Sequence, residues 1–183
     1  RALFVAVTRT VAQKFGILMS AMDDGRTLLE HVLDRPLVLL VLGSGDFENR
    51  LNALTQRPNA LFLNLFDAGA AGLLYGYGDV FLMPSDFEPC GISQLVSMRY
   101  GCLPLVHDIG GLHDTVEHGE TGFAYGGGSL ESQQKKLLAL VDDAIWLREN
   151  RAPRWVAMQE AAMRVRFDWP GQAEKYLGLY RRA

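Results

Sequence analysis

Five strand-length apolar runs punctuate the first two-thirds of the chain: ALFVAV at 2–7, PLVLLVLG at 36–43, NALFLNLF at 59–66, DVFLMP at 79–84 and CLPLVHD at 102–108. Between them, segments 17–33, 46–56, 67–77 and 91–100 carry apolar residues at helical spacing. Strand and helix in alternation require crossover connections, and crossovers join parallel strands. The runs are continuously apolar instead of alternating in and out, as a sheet covered on both faces demands. The expected fold class is α/β, a Rossmann-like doubly wound parallel sheet.

From TGFAYGGGS onward the pattern turns helical, over 129–147, 152–165 and 169–182. Residues 129–183 then form a helical tail on a single domain spanning 1–183, with Ser129 placed to cap its first helix. After a short extended piece around Phe123, no further strand is needed.

Other classes are set aside by composition. A formal net charge of -3 gives no basic surface for phosphate neutralisation, so nucleic acid is not expected as a partner. The longest strand-like apolar run, LVLLVL at 37–42, is far short of the ~20 residues that span a bilayer, so no membrane is expected either. Cys90 and Cys102 match no metal spacing and no disulfide scaffold, which favours a reducing compartment. The chain opens at Arg1 and runs directly into LFVAV without signal architecture, and it reads as a piece of a longer protein.

In an open α/β sheet, ligands bind beyond the carboxyl ends of the strands. After the first run, Arg9 and Lys14 are two loop cations that can converge on one anion, or two solvated charges. After the second, GSGD lacks the Lys-Ser/Thr of a phosphate loop and reads as a turn, with Asp46 capping the next helix. After the fourth comes PSDFEPCGIS. Pro89 and Gly91 allow a sharp turn, Ile92, Leu95, Val96 and Met98 start a helical pattern, and the amides of Gly91, Ile92 and Ser93 face an anion. Glu88 stands at the rim of that cleft, where a carboxylate accepts hydrogen bonds from sugar hydroxyls. Taken singly, Glu88 also reads as a helix-start charge and Cys90 as a small buried residue.

The fifth end brings IGGL, where Gly110 and Gly111 permit close approach to a ligand or make a turn. His107, His113 and His118 form no zinc pattern, and no metal is expected. No G-x-S-x-G elbow is present, and Asp86 and Glu88, neighbours in one loop, are a poor glycosidase pair.

The motifs VTRTVAQK, GSGD, PSDFEPCGISQLVSMRYGCLPLV, IGGLHDTV and ETGFAY stand in the order and approximate spacing seen in bacterial glycogen synthases and plant starch synthases. FDWPGQAEKYLGLYRR is similar to that family's closing helices. The chain thus resembles the glycogen and starch synthases, retaining glucosyltransferases of the GT-B type, and it resembles their carboxyl-terminal domain alone. The resemblance implies one half of a GT-B fold that binds ADP-glucose or ADP. The α-glucan acceptor would be met through an amino-terminal domain without counterpart here, leaving this fragment inactive by itself.

It implies catalytic roles for Arg9 and Lys14, which hold the diphosphate, and for Glu88, which contacts the donor glucose. Phe66 takes the place of the aromatic residue that stacks on adenine, Cys90, Gly91, Ile92 and Ser93 meet sugar and phosphates, and Gly110 and Gly111 complete the substrate-binding set. No cofactor is implied beyond the sugar nucleotide, and the implied location is the bacterial cytoplasm or, alternatively, a plastid stroma. Asp86, Leu65, Ile109 and the extra residue of QKFG depart from the family pattern. Two other readings stay open: a GT-B enzyme using UDP-glucose or another acceptor, and a non-catalytic domain that binds glucan or a partner.

Overall fold

Each of the five apolar runs becomes a strand in the computed structural model of the chain, which describes residues 1–182. They are β1 (Ala2–Val7), β2 (Leu37–Leu42), β3 (Ala60–Leu63), β4 (Val80–Met83) and β5 (Leu103–His107), joined by an edge strand β6 (Phe123–Tyr125). All pair in parallel, in the order β3-β2-β1-β4-β5-β6.

Successive side chains point to opposite faces, and both faces are covered along the central strands, while Leu61 on the edge strand β3 stays 45% exposed. Phe4 and Ala6 of β1 join one buried cluster with Phe15, Leu28 and Leu137, while Val5 joins the other with Leu74, Tyr75 and Leu112. Each fully buried Leu or Phe contributes roughly 1.5–3 kcal/mol relative to exposure, so a strand apolar at every position is stable only between two helical layers.

Those layers are α1 (Ala12–Met19), α2 (Leu28–Leu33), α3 (Glu48–Leu54), α4 (Ala68–Tyr77), α5 (Ser93–Arg99), α6 (Gly111–Thr115), α7 (Leu130–Asn150) and α8 (Ala152–Arg164). Ser129 caps α7 by accepting from the Ser132 amide, as its sequence position suggests. A final helix, α9 (Trp169–Tyr180), buries none of its residues. No helix among the described residues is long and apolar enough to cross a membrane.

Three local expectations are corrected. Segment 17–33 is not one helix: Gly25, at φ +80, turns the chain, and Thr27 starts α2 with a capping box closed by Glu30. Asp46 caps nothing; α3 follows Phe47, and it is Glu48 that accepts from the Gly45 amide. The extended piece around Phe123 is, as expected, the last strand among the described residues, three residues long and buried at both ends. Ile92, placed with the apolar face of a helix, is 71% exposed.

The strand order reverses between β1 and β4. Helices leave to opposite sides there, and a crevice opens beyond the carboxyl ends of these two strands. The segments that enter it are residues 8–11 and 84–92.

Candidate functional site at the switch point

The first wall is residues 8–10. It is laid against the GSG turn by hydrogen bonds from Thr10 N to Ser44 O (2.9 Å) and from Phe47 N to Thr10 O (3.1 Å). Gly43, at φ +148, comes so close that a Cβ would stand 1.8 Å from the Thr8 carbonyl oxygen. GSG is therefore the support of the 8–10 segment. Arg9, held on that support, is exposed, and its guanidinium makes no hydrogen bond or ion pair among the described residues.

Lys14 does not lie in a loop, as expected, but in the first turn of α1. A cation there opposes the helix dipole, so helix stability does not account for it. Its partner is the Glu88 carboxylate, an ion pair that bridges the crevice between α1 and the segment after β4. Glu88 is only 7% exposed, and few waters screen the pair.

Gly91 turns the 84–92 segment at φ +73, where a Cβ would also strike the Gln94 side chain. Gln94 Nε2 fastens the turn by donating to the carbonyls of Cys90 and Gly91. The amides of Gly91 and Ile92 donate to nothing among the described residues and precede the first turn of α5.

Arg9, Lys14, Glu88, Cys90, Gly91, Ile92 and Ser93 line one cavity of about 410 Å³. A second, of about 430 Å³, is lined by Gly43, Ser44, Leu65, Phe66, Tyr75 and Tyr100 among others. Val7, Thr8, Arg9 and Ser93 belong to both, so the two are one bent trough with Arg9 at the bend. One arm is charged and the other aromatic. Phe66, 96% exposed, offers an open ring face at the mouth of the aromatic arm. The buried Tyr75 and the half-exposed Tyr100 also line this arm, with ring centroids 6.0 Å apart; the sequence reading did not single them out, because an aromatic residue at helical spacing looks like core.

Gly110 and Gly111 line neither arm. A Cβ on Gly110 would stand 2.3 Å from the Glu88 carbonyl oxygen, and one on Gly111 would stand 2.1 Å from that of Cys90. The Gly111 amide also donates to the Glu88 carbonyl at 2.8 Å. The close approach that these glycines allow is to the protein's own 88–90 backbone, which they brace from behind.

Asp86 also stays outside the trough, with Oδ2 3.7 Å from the Cβ position of Gly16. Desolvation raises its carboxyl from its ordinary value, and nearby His107 offsets part of that rise. His107 donates from Nδ1 to the Ser85 carbonyl at 3.1 Å, steadying the end of β4. No three His, Cys, Asp or Glu side chains among the described residues gather as a metal would require. Hollows of about 590 Å³ around His113 and His118 and about 430 Å³ around Arg99 and Arg166 contain none of Arg9, Lys14 and Glu88. Size alone does not mark the site; convergence of charge with the switch point does.

Comparison with known proteins bears on the family and the fold. A family model described as glycosyl transferases group 1 matches residues 17–155. The chain is 38% identical over 187 residues to a glycogen synthase of Lactobacillus acidophilus, covering 95% of this chain and 36% of that protein. It is 40% identical over 167 residues to one from Streptococcus mutans serotype c, covering 87% and 34%. The chain thus spans about a third of the length of these relatives.

Among solved structures, the catalytic domain of starch synthase IV from Arabidopsis thaliana, bound to ADP and acarbose, superimposes with a TM-score of 0.76 at 25% identity. It covers all of this chain and 38% of that one. The pneumococcal O-GlcNAc transferase GtfA, in complex with UDP and GlcNAc, gives 0.70 at 16% identity, over 88% of this chain and 31% of its own. The six-stranded parallel sheet is one half of a GT-B architecture.

Proposed function

Because the chain belongs to the glycosyl transferases group 1 family, we propose that it is the donor-binding, carboxyl-terminal half of a glycogen or starch synthase. The donor is ADP-glucose, and its glucose passes with retention to the non-reducing end of an α-1,4-glucan. The observation that carries this reading is Arg9, unpaired among the described residues, at the bend of a trough with a charged and an aromatic arm. A sugar nucleotide has the same layout, with a diphosphate between an aromatic base and a polyhydroxyl ring.

In this reading Arg9 and Lys14 hold the diphosphate. As the glycosidic bond breaks, negative charge grows on the departing phosphate, and fixed cations in a poorly hydrated crevice stabilise that charge. Glu88 accepts hydrogen bonds from glucose hydroxyls while Lys14 turns from the carboxylate to phosphate. Phe66 stacks on the base, and Cys90 lines the sugar arm without acting as a nucleophile. No metal or organic cofactor enters the scheme. The acceptor glucan is met by a part of the protein beyond this chain, and the protein works in the bacterial cytoplasm.

Adenine is favoured by the ADP in the starch synthase IV complex. A second reading, transfer from a UDP-sugar, takes its support from the UDP held by GtfA and from Phe66, whose ring stacks on any base. Calorimetric titration of the chain separates the two. ADP and ADP-glucose are expected to bind at least about 10-fold tighter than UDP-glucose, a difference of about 1.4 kcal/mol. Equal affinities overturn the donor assignment, and absence of binding by all three overturns the reading as a whole.

A further inference from the structure

Gln13 stands in the first turn of α1, exposed, one residue before Lys14. Its main-chain carbonyl accepts from the Asp86 amide at 2.9 Å, and its side-chain Nε2 donates to the Phe87 carbonyl at 3.0 Å. Lys14 then pairs with Glu88. Two adjacent residues of a helix are thereby joined to three adjacent residues of the 84–92 segment.

The geometry fixes more than proximity. A peptide unit is planar, so anchoring the Phe87 carbonyl sets the plane of the peptide that enters Glu88. The peptide that leaves Glu88 is anchored by its own carbonyl, which accepts from Gly111 N at 2.8 Å. With both flanking planes held, the direction in which the Glu88 side chain departs is determined. Gly111 holds one plane from behind, and the Gln13 carboxamide is the only side chain among the described residues that holds the other.

We propose that Gln13 is a positioning residue for the donor sugar, acting through the Phe87 peptide to aim Glu88 along the charged arm. The inference rests on the donor reading above and separates two halves of it. Lys14 rides on a helix and keeps its place without the carboxamide, so the nucleotide diphosphate contact survives while the sugar contact does not.

The test is calorimetric titration of Gln13→Ala and of the unmodified chain with ADP and with ADP-glucose, alongside thermal melting. For Gln13→Ala, ADP affinity is expected to stay within about 2-fold while ADP-glucose affinity falls roughly 5- to 10-fold at unchanged melting temperature. Gln13→Glu, which sets a carboxylate against the Phe87 carbonyl, is expected to lose more ADP-glucose affinity than the alanine variant. In the ligand-free chain, hydrogen exchange at the Gly111 amide should quicken several-fold in Gln13→Ala, as its acceptor loosens. Unchanged ADP-glucose affinity, or an equal fall for both ligands, overturns the positioning role. An unmodified chain that binds neither ligand overturns the donor reading and this inference together, whereas normal binding with an indifferent Gln13→Ala overturns this inference alone.

Discussion

Replacing Lys14 with methionine is expected to weaken ADP binding by roughly 10- to 150-fold, the equivalent of about 1.5–3 kcal/mol for a lost charge-assisted hydrogen bond. The same substitution lowers folding stability. The side chains of Lys14 and Glu88 are only 14% and 9% exposed, so removing the ammonium leaves a carboxylate that water reaches poorly. Breaking a buried pair from one side costs about 3–5 kcal/mol, and the residual exposure here places the loss near the lower end, about 3 kcal/mol.

The two effects separate in a double variant. Lys14→Met with Glu88→Gln removes the stranded charge, so most of the stability returns while the ADP affinity does not. Denaturant unfolding and calorimetry on the two variants check this. Lys14→Met with unchanged ADP affinity removes the phosphate role, and a double variant no more stable than the single one removes the ion-pair argument.

Gly111→Ala is the second large effect. Its Cβ would stand 2.1 Å from the Cys90 carbonyl oxygen and 2.5 Å from the Cys90 Cα, and backbone atoms cannot swing aside as a side chain does. Relief requires the 88–90 segment or α6 to shift bodily. The expected destabilisation is about 3 kcal/mol, at the upper end for overpacking. The shift also displaces Glu88, so ADP-glucose affinity drops with stability. Gly128→Ala is the matched control: nothing lies within 4 Å of its Cβ position and its φ is not positive, so its unfolding midpoint should be unaltered. Equal midpoints for the two variants would show that the brace is not as tight as drawn.

The sheet was legible because its strands are almost continuously apolar, without in-out alternation, a pattern that a doubly covered parallel sheet explains. The site's address followed from topology, since the segments after β1 and β4 meet wherever the strand order reverses between them. Other features left no usable pattern. α1 begins after Val11, which makes no side-chain cap bond, so nothing announced a helix before Lys14. Gly110 and Gly111 were visible as glycines, but a sequence does not say whether the backbone passing over them is a ligand's or the protein's own. A carboxamide reaching from residue 13 to a carbonyl at residue 87 has no spacing rule at all. Asp86 was recognised as a departure from the family pattern, and the fold accounts for its absence from the trough by turning it toward Gly16.

The central claim is that one sugar nucleotide occupies both arms of the trough with its diphosphate at the bend. A crystal structure of the chain grown with ADP tests it most directly. The account predicts phosphate oxygens within hydrogen-bonding distance of Arg9 and Lys14 and the adenine on the face of Phe66. Nucleotide bound elsewhere, for instance in the hollow beside His113 and His118, with Lys14 still paired to Glu88, would contradict it.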